Sequence, residues 1–392
     1  MDVSLGCYMK ILFGADPIRY PLTGIGRYAL EVASRLPTTP GIENTLFYRN
    51  GAVLDHVPAR PVAGNAERAS VGLRRIAGKL PFVNRAYAAY TNFSQMRQLR
   101  QLDGYIFHGP NFYLPKYDGP SVSTFHDLSI FLWPQCHPAN RVSHMSRELP
   151  LAVKRASVLI TDSEFTRQEV AKYFNLSPSK IVVAQLAAAA EFRPMTVAQV
   201  QPVLAPLGLS HGSYSLFVGT LDPRKNIDLL IDVYERLPEL LRQRFPLVVV
   251  GFEGWKSEKT IARLKDGERA GWARYLGFVE DRALPAMYAG ARVFLYPSRY
   301  EGFGLPVLEA MSAGVPVICS DAASLPEVAG AEGAVLIADD DVDGFHQALL
   351  RAFEDDAWCI AACMNGVKQA SRFSWERTVA STVQAYKLAL QQ

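Results

Sequence analysis

The sequence predicts an α/β protein of two doubly wound domains facing a cleft. Three observations carry that prediction. Short apolar runs alternate with amphipathic stretches along nearly the whole chain, the pattern of parallel strands under covering helices. A length of 392 residues exceeds the roughly 250–300 at which one core stops growing. The alternation breaks once, from Phe192 to Gly212 (FRPMTVAQVQPVLAPLGLSHG), before a fresh βα series begins at SLFVGT.

In chain order, the first half offers strands at KILF (10–13), TLFY (45–48), YIF (105–107), VSTF (122–125), VLIT (158–161) and IVVA (181–184). Helices fit 26–36 and 164–173, the second behind Asp162 and Ser163 as N-caps. The proline-rich break then reads as a linker near 195–210 with no complete element. Strands resume at SLFV (215–218), LVVV (247–250), RYL (274–276), VFLY (293–296), VPVI (315–318) and AVLI (334–337). The expected domains are therefore 1–195 and 210–370. In such sheets ligands sit beyond the carboxyl ends of the strands, so chemistry belongs in the loops after strands.

Composition narrows the function classes. Forty-nine per cent apolar residues, 20% charged and a mean hydropathy of +0.03 describe a globular, enzyme-like chain. A net charge of +3 is too small to imply nucleic acid by itself, and no nucleic-acid partner is expected. The five cysteines, Cys7, Cys136, Cys319, Cys359 and Cys363, form no CxxC pair and suit reduced thiols in a cytoplasmic protein. No apolar stretch approaches the roughly 20 residues that span a bilayer, and the start carries no signal-peptide pattern, so a protein neither secreted nor membrane-threaded is expected.

Two loops of the second half stand out. In YEGFGLPVLEAMSAGVPVICSD (300–321), Glu301 and Glu309 flank Gly302-Phe303-Gly304-Leu305. Pro306 suits a helix start and Gly314 the residue past its end. Helical side chains tilt toward the N-terminus, so Glu309 leans back toward Glu301. Exposed amides at that helix start can hold a phosphate while the carboxylates accept bonds from hydroxyls. The competing reading makes Glu309 a complement to the helix dipole and Glu301 a solvated loop residue. In GTLDPRKN, after SLFV, Gly219 turns the chain and Arg224 and Lys225 offer charge-assisted donors to a diphosphate, although paired cations are commonly a solvated face.

The first half adds fainter signals. Gly24-x-Gly26-x-x-Ala29 in TGIGRYALEV formally matches a dinucleotide fingerprint, but GADPIRYPLT separates it from its strand, and it reads better as a glycine-rich helix entrance. His126 and Asp127 follow VSTF, and His108 follows YIF. Each histidine is a sugar-orienting candidate or a satisfied structural residue. The acidic run Asp339–Asp341 contains a literal DxD but reads as a helix N-cap cluster rather than a metal site. A glycosidase would use paired carboxylates yet has no need of the Arg-Lys loop.

Together these loops resemble a family. RYEGFGLPVLEAMSAGVPV resembles the E-x7-E element of retaining glycosyltransferases of the GT-B fold, two Rossmann-like domains facing a cleft, in the large bacterial group typified by mannosyltransferases. GTLDPRKN resembles its phosphate loop, TGIGRY its N-terminal glycine-rich loop, FHDLS its acceptor-side histidine loop, and FSWERTVASTVQAY, within 371–392, its closing helix that returns to the N-terminal domain. The resemblance implies a nucleotide-diphosphate sugar donor in the C-terminal domain and an acceptor in the N-terminal one. Arg224 and Lys225 would neutralise the diphosphate, Glu309 hold the ribose, Glu301 contact the sugar, and backbone from Gly302 to Leu305 add donors. His126 would orient the sugar, and Gly24 and Gly26 border the diphosphate and the acceptor. Gly251 and Phe278 would lie by the nucleobase. No metal and no other cofactor would be required. GDP-mannose or a related GDP-deoxyhexose is the expected donor.

Residues 68–102 hold Arg68, Arg74, Arg75, Lys79, Arg85, Arg97 and Arg100 with no acidic residue, interleaved with Leu73, Ile76, Leu80, Phe82 and Val83. Such a stretch suits either an anionic lipid surface or a solvated basic face. On the first reading the acceptor is a lipid-linked saccharide of a surface polysaccharide, and the enzyme sits peripherally on the inner membrane surface. The open alternatives are an NAD-dependent dehydrogenase and a non-catalytic nucleotide-sugar-binding partner.

Overall fold

In a computed structural model, which describes residues 8–59, 99 and 102–392, the apolar runs become two sheets, parallel but for one edge strand of the first. The first has the order β3-β2-β1-β4-β5-β6-β7: β1 (Met9–Gly14), β2 (Ile42–Arg49), β3 (Ala52–Leu54), β4 (Tyr105–Gly109), β5 (Ser121–Phe125), β6 (Val158–Thr161) and β7 (Ile181–Val183). The second has the order β10-β9-β8-β11-β12-β13: β8 (Ser215–Val218), β9 (Leu247–Val250), β10 (Ala273–Gly277), β11 (Val293–Tyr296), β12 (Val317–Ser320) and β13 (Val335–Ile337). Central strands such as LVVV are buried along their whole length because helices cover both faces, hence their unbroken apolar runs. Each order reverses direction once, between β1 and β4 and between β8 and β11. Those switch points are where open α/β sheets hold ligands.

The structure corrects three details. The proline-rich break is no bare linker: Val197–Leu204 is a helix, opened by a capping box between Thr196 and Gln199, and it buries Val200 and Leu204. Their i, i+4 spacing was masked by the proline content, but Pro202 is carried inside the helix and the T-x-x-Q signal was readable. The helix packs on Leu284–Ala289, so it belongs with the second domain. VPVI pairs two residues later than expected, as β12, because Pro316 has no N–H to donate and only its carbonyl takes part, accepting from Phe294. β3 was missed. It returns antiparallel to β2 through Asn50-Gly51, both left-handed (φ 50° and 83°), the turn an Asn-Gly pair favours. The arginine-rich stretch from Arg68 to Arg100, with its expected lipid-facing surface, lies outside the described residues apart from Leu99.

The last helix, Trp375–Ala389, crosses back to lie on β5, β6 and β7 of the first sheet. Thr378 Oγ1 donates to the Gln185 carbonyl (2.5 Å). Deeper in, Tyr386 Oη meets His108 Nδ1 (2.7 Å), His108 Nε2 meets Thr124 Oγ1 (2.9 Å), and Thr124 meets Tyr28 Oη (2.9 Å). Burial pushes His108 down to about 3, so the ring is neutral and structural. Tyr386→Phe would leave Nδ1 buried without its partner. We expect a loss of about 1–3 kcal/mol, read as a lower urea midpoint. An unchanged midpoint would show that the chain from Tyr386 to Tyr28 does not hold the last helix.

Candidate functional site

At the β8–β11 switch point, Asp222 accepts from the Arg224 amide (3.0 Å), shaping a short turn, Pro223–Lys225, that ends at left-handed Asn226. This delivers two cations inward. Lys225 Nζ donates to Glu301 Oε1 (2.5 Å) and to Tyr296 Oη (2.8 Å). The Arg224 guanidinium donates to the Tyr300 carbonyl (3.2 Å) and stands 3.7 Å from Asp222 and from Asp127 of the opposite domain. Its Nε is buried with no acceptor among the described residues.

Glu301 follows β11. Lys225, Tyr296 (3.0 Å) and Ser298 (2.6 Å) all donate to Oε1, and Oε2 enters none of these bonds. Burial raises this carboxyl, but Lys225 and Arg224 outweigh it and hold it below the usual range, so it stays ionised. Glu309 lies in the helix Leu305–Ser312, whose start is turned by left-handed Gly304 (φ 104°). Its Oε2 accepts from Tyr288 (3.1 Å), and Oε1 stands 4.0 Å from Arg27 of the TGIGRY helix. One weak cation does not offset its desolvation, and burial pushes Glu309 up to about 7. The rings of Tyr288, Phe294 and Tyr296 pack in series, linking the supports of the two carboxylates.

His126 is placed differently from a bare sugar ligand. Nε2 lies 2.9 Å from the Pro110 carbonyl, which can only accept, so Nε2 carries a proton. Nδ1 shares another with Asp162 Oδ2 at 2.7 Å. Burial opposes a charged ring, Asp162 favours it more, and the net shift is upward. Both ring nitrogens are thus engaged within the first domain. Asp162, expected as a cap, serves His126 instead, and within its own domain the helix Glu164–Phe174 is capped by Ser163.

The glycines bring loops together. A Cβ on Gly302 would sit 1.7 Å from the His126 carbonyl, and one on Gly251 (φ 146°) 1.9 Å from the Gly219 carbonyl. Gly26 packs on the Pro17 carbonyl, whereas Gly24 faces open space. Phe303 and Leu305 bury their side chains in the core. The backbone amides of Gly302, Phe303 and Gly304 donate to no acceptor among the described residues. Phe278 stacks on Phe252 at 4.8 Å, the two rings 44% and 50% exposed. Arg224, Lys225 and Glu301 therefore form one cluster facing Asp127, and Glu309 meets Arg27 beside it. Sequence reasoning missed Arg27, Tyr288 and Tyr296. Arg27 adjoins the noted glycines, so only its partner across the cleft was invisible.

Comparisons with known proteins show the family. Residues 22–186 match the family described as Glycosyltransferase Family 4, and residues 209–371 that described as Glycosyl transferases group 1. The sequence is 42% identical to the O-antigen chain mannosyltransferase B of Escherichia coli over 382 residues, 97% of this chain and 100% of the relative. It is 31% identical over 244 residues to the serotype-specific mannosyltransferase WbdA of Escherichia coli, covering 61% of this chain and 29% of that one. HepE from Anabaena, solved in complex with UDP-glucose, superposes with a TM-score of 0.69 over 97% of this chain and 99% of its own at 16% identity, a likeness of fold alone.

The Glu309 carboxyl makes a pH prediction. Raised from an unfolded value near 4.5 to about 7, it keeps a proton that the unfolded chain gives up. Its contribution is present below about pH 4.5 and is lost as pH rises through 7. Glu309→Gln should remove this slope. Between pH 5 and 8, wild type should lose on the order of 1–3 kcal/mol relative to the variant in urea unfolding. Parallel profiles would show that Arg27 already keeps the group ionised.

Proposed function

This chain belongs to the group 1 glycosyltransferases and has their two-domain GT-B fold, and from that premise we propose that it transfers mannose, or a related deoxyhexose, from a GDP-sugar to a lipid-linked saccharide acceptor in surface polysaccharide biosynthesis. Full-length similarity to an O-antigen chain mannosyltransferase supports the sugar and the pathway class. The observation that carries the chemistry is the buried Arg224, its Nε unpartnered, beside Lys225 at a strand-order switch point. A departing nucleoside diphosphate gains negative charge, and fixed donors aimed at that charge are usually the largest catalytic contribution.

In this reading Arg224 and Lys225 take the diphosphate, and the free amides of Gly302, Phe303 and Gly304 add donors around phosphate and sugar. Glu301 Oε2 accepts from a donor-sugar hydroxyl while Oε1 stays anchored. Glu309 accepts from the ribose, and Phe278 with Phe252 offers a face to the base. Transfer proceeds with retention, the leaving phosphate oxygen taking the acceptor proton on the same face. Two cations already meet the leaving charge, so the scheme calls for no metal ion. The acceptor's lipid brings the enzyme to the inner membrane surface as a peripheral protein. Among the described residues no helix is long and apolar enough to cross a membrane.

The dehydrogenase alternative falls with the family assignment, and the structure shows its physical flaw: the helix of the glycine pattern begins at Gly24, well after β1 ends at Gly14. Incubation with membranes and a panel of labelled nucleotide sugars tests the proposal. Label should pass from GDP-mannose to lipid-linked material. Arg224→Lys, which keeps charge but loses the fork, should lower kcat by about 10²-fold. Donor binding without transfer to any lipid-linked acceptor would return the chain to the non-catalytic alternative.

A further inference from the structure

The cluster at the β8–β11 switch point holds more negative charge than positive. Arg224 and Lys225 face three carboxylates, those of Glu301, Asp222 and Asp127. A nucleoside diphosphate brought to the two cations therefore meets a net negative surround unless one carboxylate gives way. Two of them are tied in place. Glu301 Oε1 takes three hydrogen bonds within its own domain. Asp222 Oδ1 accepts from the Arg224 amide, so it belongs to the very turn that presents the guanidinium.

Asp127 is held differently. It reaches the cluster from the first domain, on the loop after β5. Its Oδ1 accepts from the Ser129 amide (2.9 Å) and from the Ser129 hydroxyl (2.8 Å). That hydroxyl has given its proton to Asp127, so His137 Nε2, 2.9 Å away, donates to it in turn. Oδ2 enters neither bond and stands 3.7 Å from Arg224 Nη1. At that separation the attraction is Coulombic and undirected, whereas Lys225 and Glu301 share a hydrogen bond of 2.5 Å. Burial raises the Asp127 carboxyl, but Arg224 outweighs it and holds it below the usual range, so it is an anion. In return Asp127 is the strongest of the anions that keep the buried guanidinium charged. One oxygen is thus anchored in the first domain, and the other pairs loosely with a cation of the second.

We propose that Asp127 is an exchangeable counter-ion of Arg224: it neutralises the guanidinium from across the cleft, yields it to an arriving nucleoside diphosphate, and competes for it again as the product leaves. The inference rests on the reading of Arg224 as a diphosphate ligand and goes beyond it, to a residue that acts through Arg224 on release. Cleavage of the sugar bond leaves the diphosphate with a further ionisable oxygen, so repulsion by Asp127 falls harder on the product than on the donor.

The test titrates full-length protein with GDP, the nucleotide of the proposed donor, by calorimetry. Asp127→Asn keeps an oxygen for the two Ser129 donors and removes the charge. GDP should bind about tenfold tighter than to wild type and inhibit transfer correspondingly more, with a smaller change in the KM for GDP-mannose. Asp127→Ala removes the same charge together with the anchor and should shift GDP in the same direction, so either variant decides the matter if the other fails to fold. A residue that merely supported Arg224 would lower the affinity when removed. GDP affinity equal to wild type or weaker in the folded variants therefore overturns the inference and leaves the proposed function standing. If wild type does not bind GDP, the proposed function falls, and this inference with it.

Discussion

The loop Tyr300–Gly304 carries the site, and it is held as firmly by the opposite domain as by its own. The Gly302 carbonyl accepts from Ser163 Oγ (2.6 Å) and Thr166 Oγ1 (2.9 Å), both at the start of a helix in the first domain. Tyr300 Oη accepts from the Leu128 amide (3.0 Å) and donates to Glu169 (2.6 Å). Glu327 caps the same helix start from across the interface, taking the amides of Glu164 and Phe165. Only a residue without a Cβ fits where Gly302 touches the His126 carbonyl. The position of Glu301 is therefore a property of the two domains together, and any opening of the cleft disturbs that carboxylate.

That shared loop explains how two carboxylates eight positions apart acquire opposite character. Both are buried, and burial alone raises each. Glu301 sits against Lys225 within its own domain and stays ionised, a fixed acceptor and a neutraliser of the cation. Glu309 has Tyr288 as a neutral donor and, as its one cation among the described residues, Arg27 at 4.0 Å from the other domain. Burial therefore outweighs its partners and favours the neutral form, the opposite of Glu301. Each removal of charge from water is offset by a different partner.

Much of this was legible from the chain alone, for local reasons. Buried parallel strands announce themselves as short apolar runs, and the strand-then-loop placement of Arg224, Lys225 and Glu301 follows from sheet geometry. Illegible were contacts between distant segments. Asp127 with Arg224, Asp162 with His126 and Arg27 with Glu309 are each made by tertiary packing, and no local spacing encodes them. The helix Val197–Leu204 shows a different failure, a composition rich in proline overriding a capping box and an i, i+4 apolar pair that were both present.

The glycines complete the argument. Their sequence meaning was room for a ligand, yet Gly302, Gly251 and Gly26 are filled by other backbone: the His126, Gly219 and Pro17 carbonyls. What they permit is contact between loops that come from different strands or different domains, and the ligand-facing surface is assembled as a result. In the C-terminal half this brings the cation loop after β8 against the loop after β9. Across the cleft it seats the carboxylate loop on the histidine loop. The first domain repeats the device where Gly109 lets the chain fold onto the Tyr113 carbonyl beside β1. Both switch points are thus built by close backbone approach, and the one in the C-terminal half is lined with the cations Arg224 and Lys225.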